Sequence, residues 1–316
     1  MSRMRTVLVW ISLSLVVFFG MAAIMIVRHG DGYEQQRSMD DAVTDRRLLI
    51  AVLEQDGKVV EMELEEYIVR VVLGEVSADY HPEALKAQAV AARTYTLYFA
   101  LGNKHADGAV CTDHRCCQAY CKPSDYLHNG GRMNDLTAIR QAVECTKGEV
   151  LLYNDQLICA TYFACSGGKT EDAQSVWGEE YPYLKAVVSR GDDCGCDAMQ
   201  VKMTKQELER SLDTELTGTA EEWIGFRMDT PGDGVALVRI GSKLYTGTEL
   251  RQIFQLKSTM VDITAAENAI IFETQGYGHR VGMSQHGANA MAEAGNNYSS
   301  ILLHYYTDVT LAEYIP

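Results

Sequence analysis

The stretch that decides the fold runs from Leu64 to Leu101 and reads LEEYIVRVVLGEVSADYHPEALKAQAVAARTYTLYFAL. Apolar residues in its first third recur with the 3.6-residue period of an amphipathic helix, at Leu64, Tyr67, Ile68, Val71 and Val72. Pro82 suits the first turn of a second helix, and Glu83 stands where the helix dipole favours an anion. Because this second segment is rich in alanine, it can pack closely, and the stretch predicts two adjacent core helices.

Glu75 follows Ile68 by seven positions at the end of the first helical pattern. If the helix continues through Gly74, that spacing puts the carboxylate on the apolar face. Burial disfavours the charged form, so the pattern predicts a glutamic acid with a raised pKa that can act as a general acid. A solvated glutamate at a fraying helix end fits the spacing equally well.

The segments before and after this stretch indicate an α+β fold. Leu48 to Leu53 is typical of a strand, Asp56-Gly57 of a turn, and Lys58 to Glu63 of the returning strand of a hairpin. Helical and strand patterns then mix without regular alternation. We therefore predict one large domain over residues 48–316, with mixed helices and antiparallel strands.

The N-terminal segment has the pattern of a membrane anchor. No charged residue occurs between Thr6 and Val27, a length that spans a ~30 Å hydrocarbon layer as a helix. Arg3 and Arg5 precede it, which favours a short N-terminus inside and the following domain outside the cell. A cleaved signal peptide fits less well, because the apolar run is longer than usual. We predict one transmembrane helix in residues 1–28 and a polar linker over 29–47.

Composition narrows the class of function. Apolar residues make up 47% and charged residues 22% of the 316 residues, as in a globular protein. The chain has 28 Lys and Arg against 43 Asp and Glu, a net charge of −15. Such an acidic surface repels phosphate backbones, so nucleic acid is not expected as a partner.

Cysteines and histidines cluster after the second helix. Four of the nine cysteines lie close together, at Cys111, Cys116, Cys117 and Cys121, and His105 and His114 flank them. Thiolates and imidazoles at this density suit tetrahedral Zn²⁺, although a disulfide knot is an alternative for a domain outside the cytoplasm.

The remaining cysteines lie apart from this cluster. Cys145 and Cys159 stand among apolar or strand-like residues and are predicted to be buried thiols. Cys194 and Cys196 lie in an acidic segment that is typical of an exposed turn, although either could pair with Cys165 or hold a second cation.

A glycine-rich loop precedes the C-terminal helix. Its G-x-G-x-x-x-G spacing differs from the dinucleotide fingerprint, and the segment around Ser284 is one residue too long for a serine nucleophile elbow. Glycines that let the backbone approach a ligand are the more economical interpretation.

Three segments, in order, resemble the stage II sporulation protein D family of membrane-anchored lytic transglycosylases from endospore-forming bacteria. The first is Leu73 to Tyr95, LGEVSADYHPEALKAQAVAARTY. The second is Thr161 to Thr170, TYFACSGGKT, together with Val176-Trp177-Gly178, and the third is Gly276 to Ala288, GYGHRVGMSQHGA. The likeness extends over Leu48 to Pro316.

The resemblance implies site residues, position by position. Glu75 takes the place of the family's catalytic acid. The residues implied to line the substrate groove are Lys86, Arg93, Tyr162, Ser166 and Gln285. Lys86 and Arg93 lie seven positions apart on one helical face, a spacing that is also typical of the solvated edge of a core helix. The last motif departs from the common His-Gly-Val pattern, because Arg280 stands where glycine is usual.

The resemblance also implies a structural zinc ion. The matching positions are His105, Cys111, Cys116 and Cys117, and His114 is an alternative to Cys116 as the fourth ligand. A Cys-rich site with four protein ligands is usually structural rather than catalytic.

The activity implied is cleavage of the β-1,4 bond between N-acetylmuramic acid and N-acetylglucosamine, which leaves 1,6-anhydro ends during forespore engulfment. The implied substrate is glycan stripped of stem peptides, and the implied partners are a peptidoglycan amidase and a membrane scaffold. The implied location is between the mother cell and forespore membranes, with a single-pass anchor. Two rivals remain, a non-catalytic zinc-stabilised glycan-binding module and a zinc-dependent wall hydrolase.

Overall fold

The computed structural model describes residues 48–105, 108–192 and 199–315. The predicted anchor, residues 1–28, and the predicted linker, residues 29–47, lie outside the described residues. Within the described part of the chain, no helix combines the length and the apolar composition needed to cross a membrane.

Helices and strands alternate irregularly along the chain. The helices are α1 (Leu64–Glu75), α2 (Pro82–Leu101), α3 (Pro123–His128), α4 (Met133–Glu144), α5 (Ala173–Trp177), α6 (Lys205–Leu212), α7 (Ala220–Trp223), α8 (Gly247–Phe254), α9 (Gln285–Glu293) and α10 (Tyr298–Tyr305). The strands are β1 (Leu49–Leu53), β2 (Val59–Glu63), β3 (Val110–Cys111), β4 (Glu149–Tyr153), β5 (Gln156–Leu157), β6 (Tyr162–Phe163), β7 (Met199–Thr204), β8 (Ile224–Asp229), β9 (Val235–Ile240), β10 (Lys243–Tyr245), β11 (Val261–Ala266), β12 (Ala269–Thr274), β13 (Met283–Ser284) and β14 (Thr310–Glu313).

The strands form several small sheets with the orders β2-β1-β3, β14-β4-β5, β13-β6, β11-β12-β7 and β10-β9-β8. Pairing is antiparallel except between β1 and β3 and between β6 and β13. The mixed α+β architecture predicted from the sequence is thus confirmed, as is the β1–β2 hairpin. The parallel β6–β13 pair joins two distant segments, with Tyr162 opposite Met283.

The predicted helix pair is present. Helix α1 continues through Gly74 to Glu75, and α2 begins at Pro82 as predicted. The Nδ1 atom of His81 accepts a hydrogen bond from the backbone N–H of Glu83, 3.2 Å away, and so caps the start of α2. Most of α2 is buried, because its alanines let neighbouring elements pack against it.

Residues 49–316 form one compact unit with two apolar cores. The first core surrounds α2, α9 and α10, and we call this part of the unit the first lobe. The second core lies within residues 199–275, which we call the second lobe, and contains Trp223 and Phe272. The Tyr162 and Gln285 segments both belong to the first lobe.

Candidate active site

Glu75 is the last residue of α1 and is partly exposed. A Cβ atom at the preceding Gly74 would lie 2.8 Å from the backbone nitrogen of Tyr120, too close for any side chain. Glycine therefore lets the 119–120 backbone pack directly against the helix. This close approach puts the N–H of Ala119 2.6 Å from Oε1 of Glu75, to which it donates a hydrogen bond.

Two further donors reach the carboxyl group from distant segments. The hydroxyl of Tyr162, on β6, lies 3.4 Å from Oε1 of Glu75. The side-chain amide of Gln285, the first residue of α9, lies 3.4 Å from Oε2. The structure thus brings together one residue from each of the three segments singled out in the sequence.

The environment raises the pKa of Glu75. Burial is the largest cause, and the hydrogen bonds from Ala119, Gln285 and Tyr162 oppose it. Among the described residues, all three donors are neutral groups. A cationic donor would strongly favour the carboxylate form, and Glu75 has none there. Oε1 carries the short bond from Ala119, whereas Oε2 has only the long contact with Gln285. Oε2 is therefore the oxygen better placed to carry a transferable proton.

Gln118 is a site residue that the sequence analysis missed. Its side-chain oxygen accepts a hydrogen bond from the Tyr162 hydroxyl at 2.7 Å, and its amide donates to Oγ1 of Thr96 at 2.8 Å. Gln118 thus fixes the Tyr162 hydroxyl, which also contacts Glu75. The glycine at position 74, inside a helix, was a sequence signal that another backbone approaches there, but no side-chain pattern marks a backbone donor such as Ala119.

The four predicted metal ligands lie together. The ligand atoms of His105, Cys111, Cys116 and Cys117 are all within 4.8 Å of one another. Nε2 of His105 lies 3.4 Å from Sγ of Cys116 and 3.5 Å from Sγ of Cys117. Tetrahedral zinc with Zn–S bonds of about 2.3 Å separates neighbouring ligand atoms by roughly 3.8 Å, so the donor set and its spacing fit Zn²⁺.

His114 does not join this cluster. Its side chain is 73% exposed and lies 3.8 Å from Asp113. The alternative of His114 as fourth ligand is therefore corrected in favour of Cys116. Cys117 directly precedes Gln118 and Ala119, so the cluster is joined by covalent bonds to the segment that contacts Tyr162 and Glu75.

Arg93 does not line a groove, which corrects the implied role. Its side chain is fully buried and forms a bidentate ion pair with Glu65, at 2.9 and 2.6 Å. It also donates to the backbone oxygens of Glu149 and Val143. A guanidinium with no exposed surface cannot contact a glycan, so Arg93 is a structural residue that ties α1 to α2 and β4.

Lys86 is one-quarter exposed and has local partners. Its Nζ atom lies 2.7 Å from Oε1 of Glu83 and 5.7 Å from the centre of the Tyr298 ring. A groove role for Lys86 remains a prediction.

Ser166 is also buried, which corrects its implied place on the groove surface. Its backbone N–H donates to Oδ2 of Asp192 at 2.8 Å, and its hydroxyl donates to the same oxygen. Ser189 adds a third bond to that oxygen at 3.0 Å and contacts the Tyr305 hydroxyl at 2.6 Å. This buried network anchors the segment between β6 and α5.

The other cysteines differ in their surroundings. Cys165 is disulfide-bonded, whereas Cys145 and Cys159 are free. Cys159 is buried as predicted, but Cys145 is exposed because it follows the end of α4, so that prediction was wrong. Cys194 and Cys196 lie outside the described residues.

Arg280 occupies the position where the last motif departs from its common pattern. Its φ of +66° lies in the left-handed region that favours glycine. The guanidinium compensates for this, because it is fully buried, pairs with Glu171 at 3.3 Å and donates to backbone oxygens of Ser166, Lys169 and Gly232. Arg280 lies in the third motif. Its contacts with Ser166 and Lys169 join that motif to the second one, and its contact with Gly232 joins both to the second lobe.

Comparisons with known proteins agree with the three motifs. Residues 54–153 match the family described as SpoIID, stage II sporulation protein. Stage II sporulation protein D of Bacillus subtilis is 35% identical over 257 residues, covering 79% of this chain and 74% of that protein. An uncharacterized protein of Brachyspira hyodysenteriae is 30% identical over 258 residues, covering 80% and 68%. The amidase enhancer of Bacillus subtilis is 32% identical, covering 77% of this chain but 40% of its own length. On this similarity and on its ordered motifs, the chain belongs to the stage II sporulation protein D family.

Proposed function

We propose that this protein is a lytic transglycosylase that cleaves the β-1,4 bond between N-acetylmuramic acid and N-acetylglucosamine in peptidoglycan. One observation carries the proposal. Glu75 is a solvent-reachable carboxyl group whose pKa is raised by burial and whose donors are all neutral. A general acid at neutral pH needs this combination of accessibility and retained proton.

In the first step Glu75 acts as the acid. Oε2 gives its proton to the glycosidic oxygen as the bond from that oxygen to C1 of the muramic acid breaks. The N-acetylglucosamine product leaves with the proton as a new hydroxyl group. The N–H of Ala119 stabilises the carboxylate that remains, because it already lies 2.6 Å from Oε1.

In the second step the same carboxylate acts as a base. It takes the proton of the C6 hydroxyl as that oxygen forms a bond to C1, which closes the 1,6-anhydro ring. No water is consumed, and Glu75 returns to its protonated state. A single carboxyl group is sufficient for this sequence, whereas ordinary glycosidases use two.

The contacts of Glu75 agree with a one-acid mechanism. Among the described residues, its hydrogen-bond donors are an amide N–H, a phenol and a carboxamide, and none is a second carboxyl group. Tyr162 and Gln285 hold the carboxyl group at both oxygens, so its orientation is fixed before substrate binds.

His105, Cys111, Cys116 and Cys117 would hold a structural Zn²⁺. The bound ion would supply folding free energy by tying the 105–117 segment together. Cys117 is followed directly by Gln118 and Ala119. A metal-bound cluster would therefore hold the N–H of Ala119 at hydrogen-bonding distance from Glu75. All four donor positions would be filled by the protein, which favours a structural rather than a catalytic metal.

The biological setting follows from the family. Relatives are named sporulation proteins, which supports a role in sporulation, and we propose that the role is wall remodelling during forespore engulfment. One relative is named an amidase enhancer, which supports an amidase as functional partner that strips stem peptides from the glycan first. The chain's net charge of −15 also disfavours substrates that still carry the carboxylates of stem peptides.

The test is mass spectrometry of peptide-free glycan strands incubated with the protein and with its Glu75→Gln variant. We expect 1,6-anhydro ends from the wild type and none above background from the variant. Binding without any cleavage would instead support the non-catalytic glycan-binding module. Hydrolysed, reducing ends that disappear on chelation from the folded protein would support the zinc-dependent hydrolase.

A further inference from the structure

Trp177 differs from the other tryptophan in the described residues by its exposure. It is the last residue of α5 and is 40% exposed, whereas Trp223 lies in the second lobe's core and is 2% exposed. An indole ring gains most by burial, so one that is kept at the surface in a fixed position suggests a contact with a ligand.

Neighbouring rings hold the Trp177 side chain. The ring of His279 lies 5.4 Å from it between centroids, and the ring of Tyr181 meets it edge-on at 6.4 Å. Burial lowers the pKa of His279 to about 4, with a smaller contribution from Arg251, so this imidazole is neutral at physiological pH. Trp177 therefore rests on a neutral, partly buried imidazole.

The same histidine connects Trp177 to the site. Nδ1 of His279 accepts a hydrogen bond from the N–H of Val281 at 3.1 Å, and the ring also hydrogen-bonds the backbone of Tyr162. The hydroxyl of Tyr162 contacts Glu75. Trp177 is thus connected to the acid through His279 and Tyr162 and does not itself contact Glu75 among the contacts described, so it suits a sugar ring next to the one being cleaved.

The charges around Trp177 restrict the class of ligand. Glu179 and Glu180 follow it after Gly178 and are exposed, and Glu179 accepts a hydrogen bond from the Tyr181 hydroxyl at 3.1 Å. Carboxylates beside the indole disfavour an anionic ligand but accept hydrogen bonds from hydroxyl groups. A sugar ring offers both an apolar C–H face for the indole and hydroxyl groups at its rim.

We propose that Trp177 is a stacking platform for an uncharged sugar ring of the glycan strand, outside the position of bond cleavage. The inference rests on the proposed function, because it takes the glycan as the ligand. Its two structural supports are the exposed but fixed indole and the His279–Tyr162 connection to Glu75. His279 acts here as a positioning residue and does not contact the sugar.

The binding experiment uses the full-length protein carrying Glu75→Gln, so that the glycan is not consumed. With peptide-free glycan strands as the probe, we expect Trp177→Ala to weaken binding about tenfold and Trp177→Phe to weaken it less, because a smaller ring retains part of the contact. Phe226→Ala is the matched control, since Phe226 is 59% exposed but lies on β8 of the second lobe. It is expected to bind like the parent. Acrylamide quenching provides a second readout, because glycan is expected to protect an indole in the parent and less so in Trp177→Phe.

A second arm separates this inference from the catalytic proposal. With Glu75 intact, Trp177→Ala is expected to raise KM about tenfold with kcat within about twofold. Unchanged glycan affinity in both Trp177 variants, or no glycan binding by the parent, overturns the platform. A parent that binds through Trp177 while the wild type cleaves nothing refutes the catalytic proposal and leaves the platform supported.

Discussion

Two glutamates in the first lobe have a pKa that is raised by burial, yet their surroundings differ. Glu75 receives hydrogen bonds from an amide N–H, a phenol and a carboxamide. Glu171 is fully buried and receives one from Thr230 at 2.6 Å, with the Arg280 guanidinium 3.3 Å away. Burial is the largest cause of the raised pKa in both cases.

The comparison shows that burial alone does not identify an acid catalyst. Glu171 has no exposed surface, so no substrate reaches it, and the charge of its Arg280 partner opposes the effect of burial on its pKa. Glu75 is partly exposed as a residue and has no cationic hydrogen-bond donor within the described residues. Access and the absence of a cation therefore separate a chemical role from a structural one.

The largest expected effect is on glycan cleavage. We expect Glu75→Gln to lose cleavage and Glu171→Gln to retain it. Removing a general acid is expected to lower the rate by about 10²- to 10⁴-fold, because only the transferable proton is lost. Rates per mole of folded protein, measured from anhydro ends, check this prediction. Comparable losses in the two variants would abolish the distinction drawn between the two glutamates.

Removal of the metal site is expected to disturb the segment that contacts Glu75, because Cys117 directly precedes Gln118 and Ala119. The contacts of Glu171 are expected to stay unchanged. His105→Ala or Cys111→Ala should lower zinc content and stability together, by several kcal/mol and less than the roughly 10 kcal/mol of small zinc domains, because a large core remains. Elemental analysis and thermal unfolding are the measurements. Cys145→Ala is the control, since that thiol is free and exposed. Equal zinc in the cluster variants and the wild type would refute the site.

For the stability of the fold we expect the opposite order: Glu171→Gln is the variant that lowers the free energy of unfolding. Glu171→Gln leaves the Arg280 guanidinium buried without a charged partner, which should cost about 3–5 kcal/mol of unfolding free energy. Urea denaturation measures the change. The double variant Glu171→Gln with Arg280→Met should recover part of the loss, because no unpaired buried charge remains. A single variant as stable as wild type would show that the pair is not needed for the fold.

The smallest expected effect is a pH-dependent gain of stability in Glu75→Gln. The folded-state pKa of Glu75 is raised, so the wild type is relatively most stable below the ordinary glutamate pKa, and loses stability as the pH rises through the raised value. The glutamine variant does not titrate, so it should match the wild type at pH 4 and exceed it at pH 8. Urea denaturation at both pH values measures the difference in unfolding free energy between variant and wild type. A stability gain of the variant that is largest at pH 4 would contradict the raised pKa.

The sequence was sufficient for the parts of the fold that depend on local patterns. The α1–α2 helix pair, the β1–β2 hairpin and the α+β class follow from periodicity and turn residues. The proximity of His105, Cys111, Cys116 and Cys117 follows from the family resemblance, and zinc binding by them stays a prediction. Helix α9 begins at Gln285, directly after the glycine-rich loop, because the Ser284 hydroxyl caps it by accepting a hydrogen bond from the N–H of Gly287.

The rest could not be predicted, because it depends on contacts between distant segments. The seven-residue spacing of Lys86 and Arg93 gives a shared face but does not reveal that Glu65 lies opposite one of them. Likewise, the family resemblance implies that Ser166 lines the groove. In the structure Ser166 is buried, where its backbone N–H donates a hydrogen bond to Asp192. Partners of buried polar groups are set by tertiary packing, which short-range patterns do not encode.

The hydrogen bonds of Glu75 bear on when the protein could become active. Its three donors lie 44, 87 and 210 residues further along the chain, at Ala119, Tyr162 and Gln285. A nascent or partly folded chain thus contains the carboxyl group long before it contains the surroundings that tune it. Because Gln285 lies 210 residues after Glu75, the surroundings of the acid are complete only once that later segment has been synthesised and has folded. The fold in this way keeps the site latent until the whole domain has assembled.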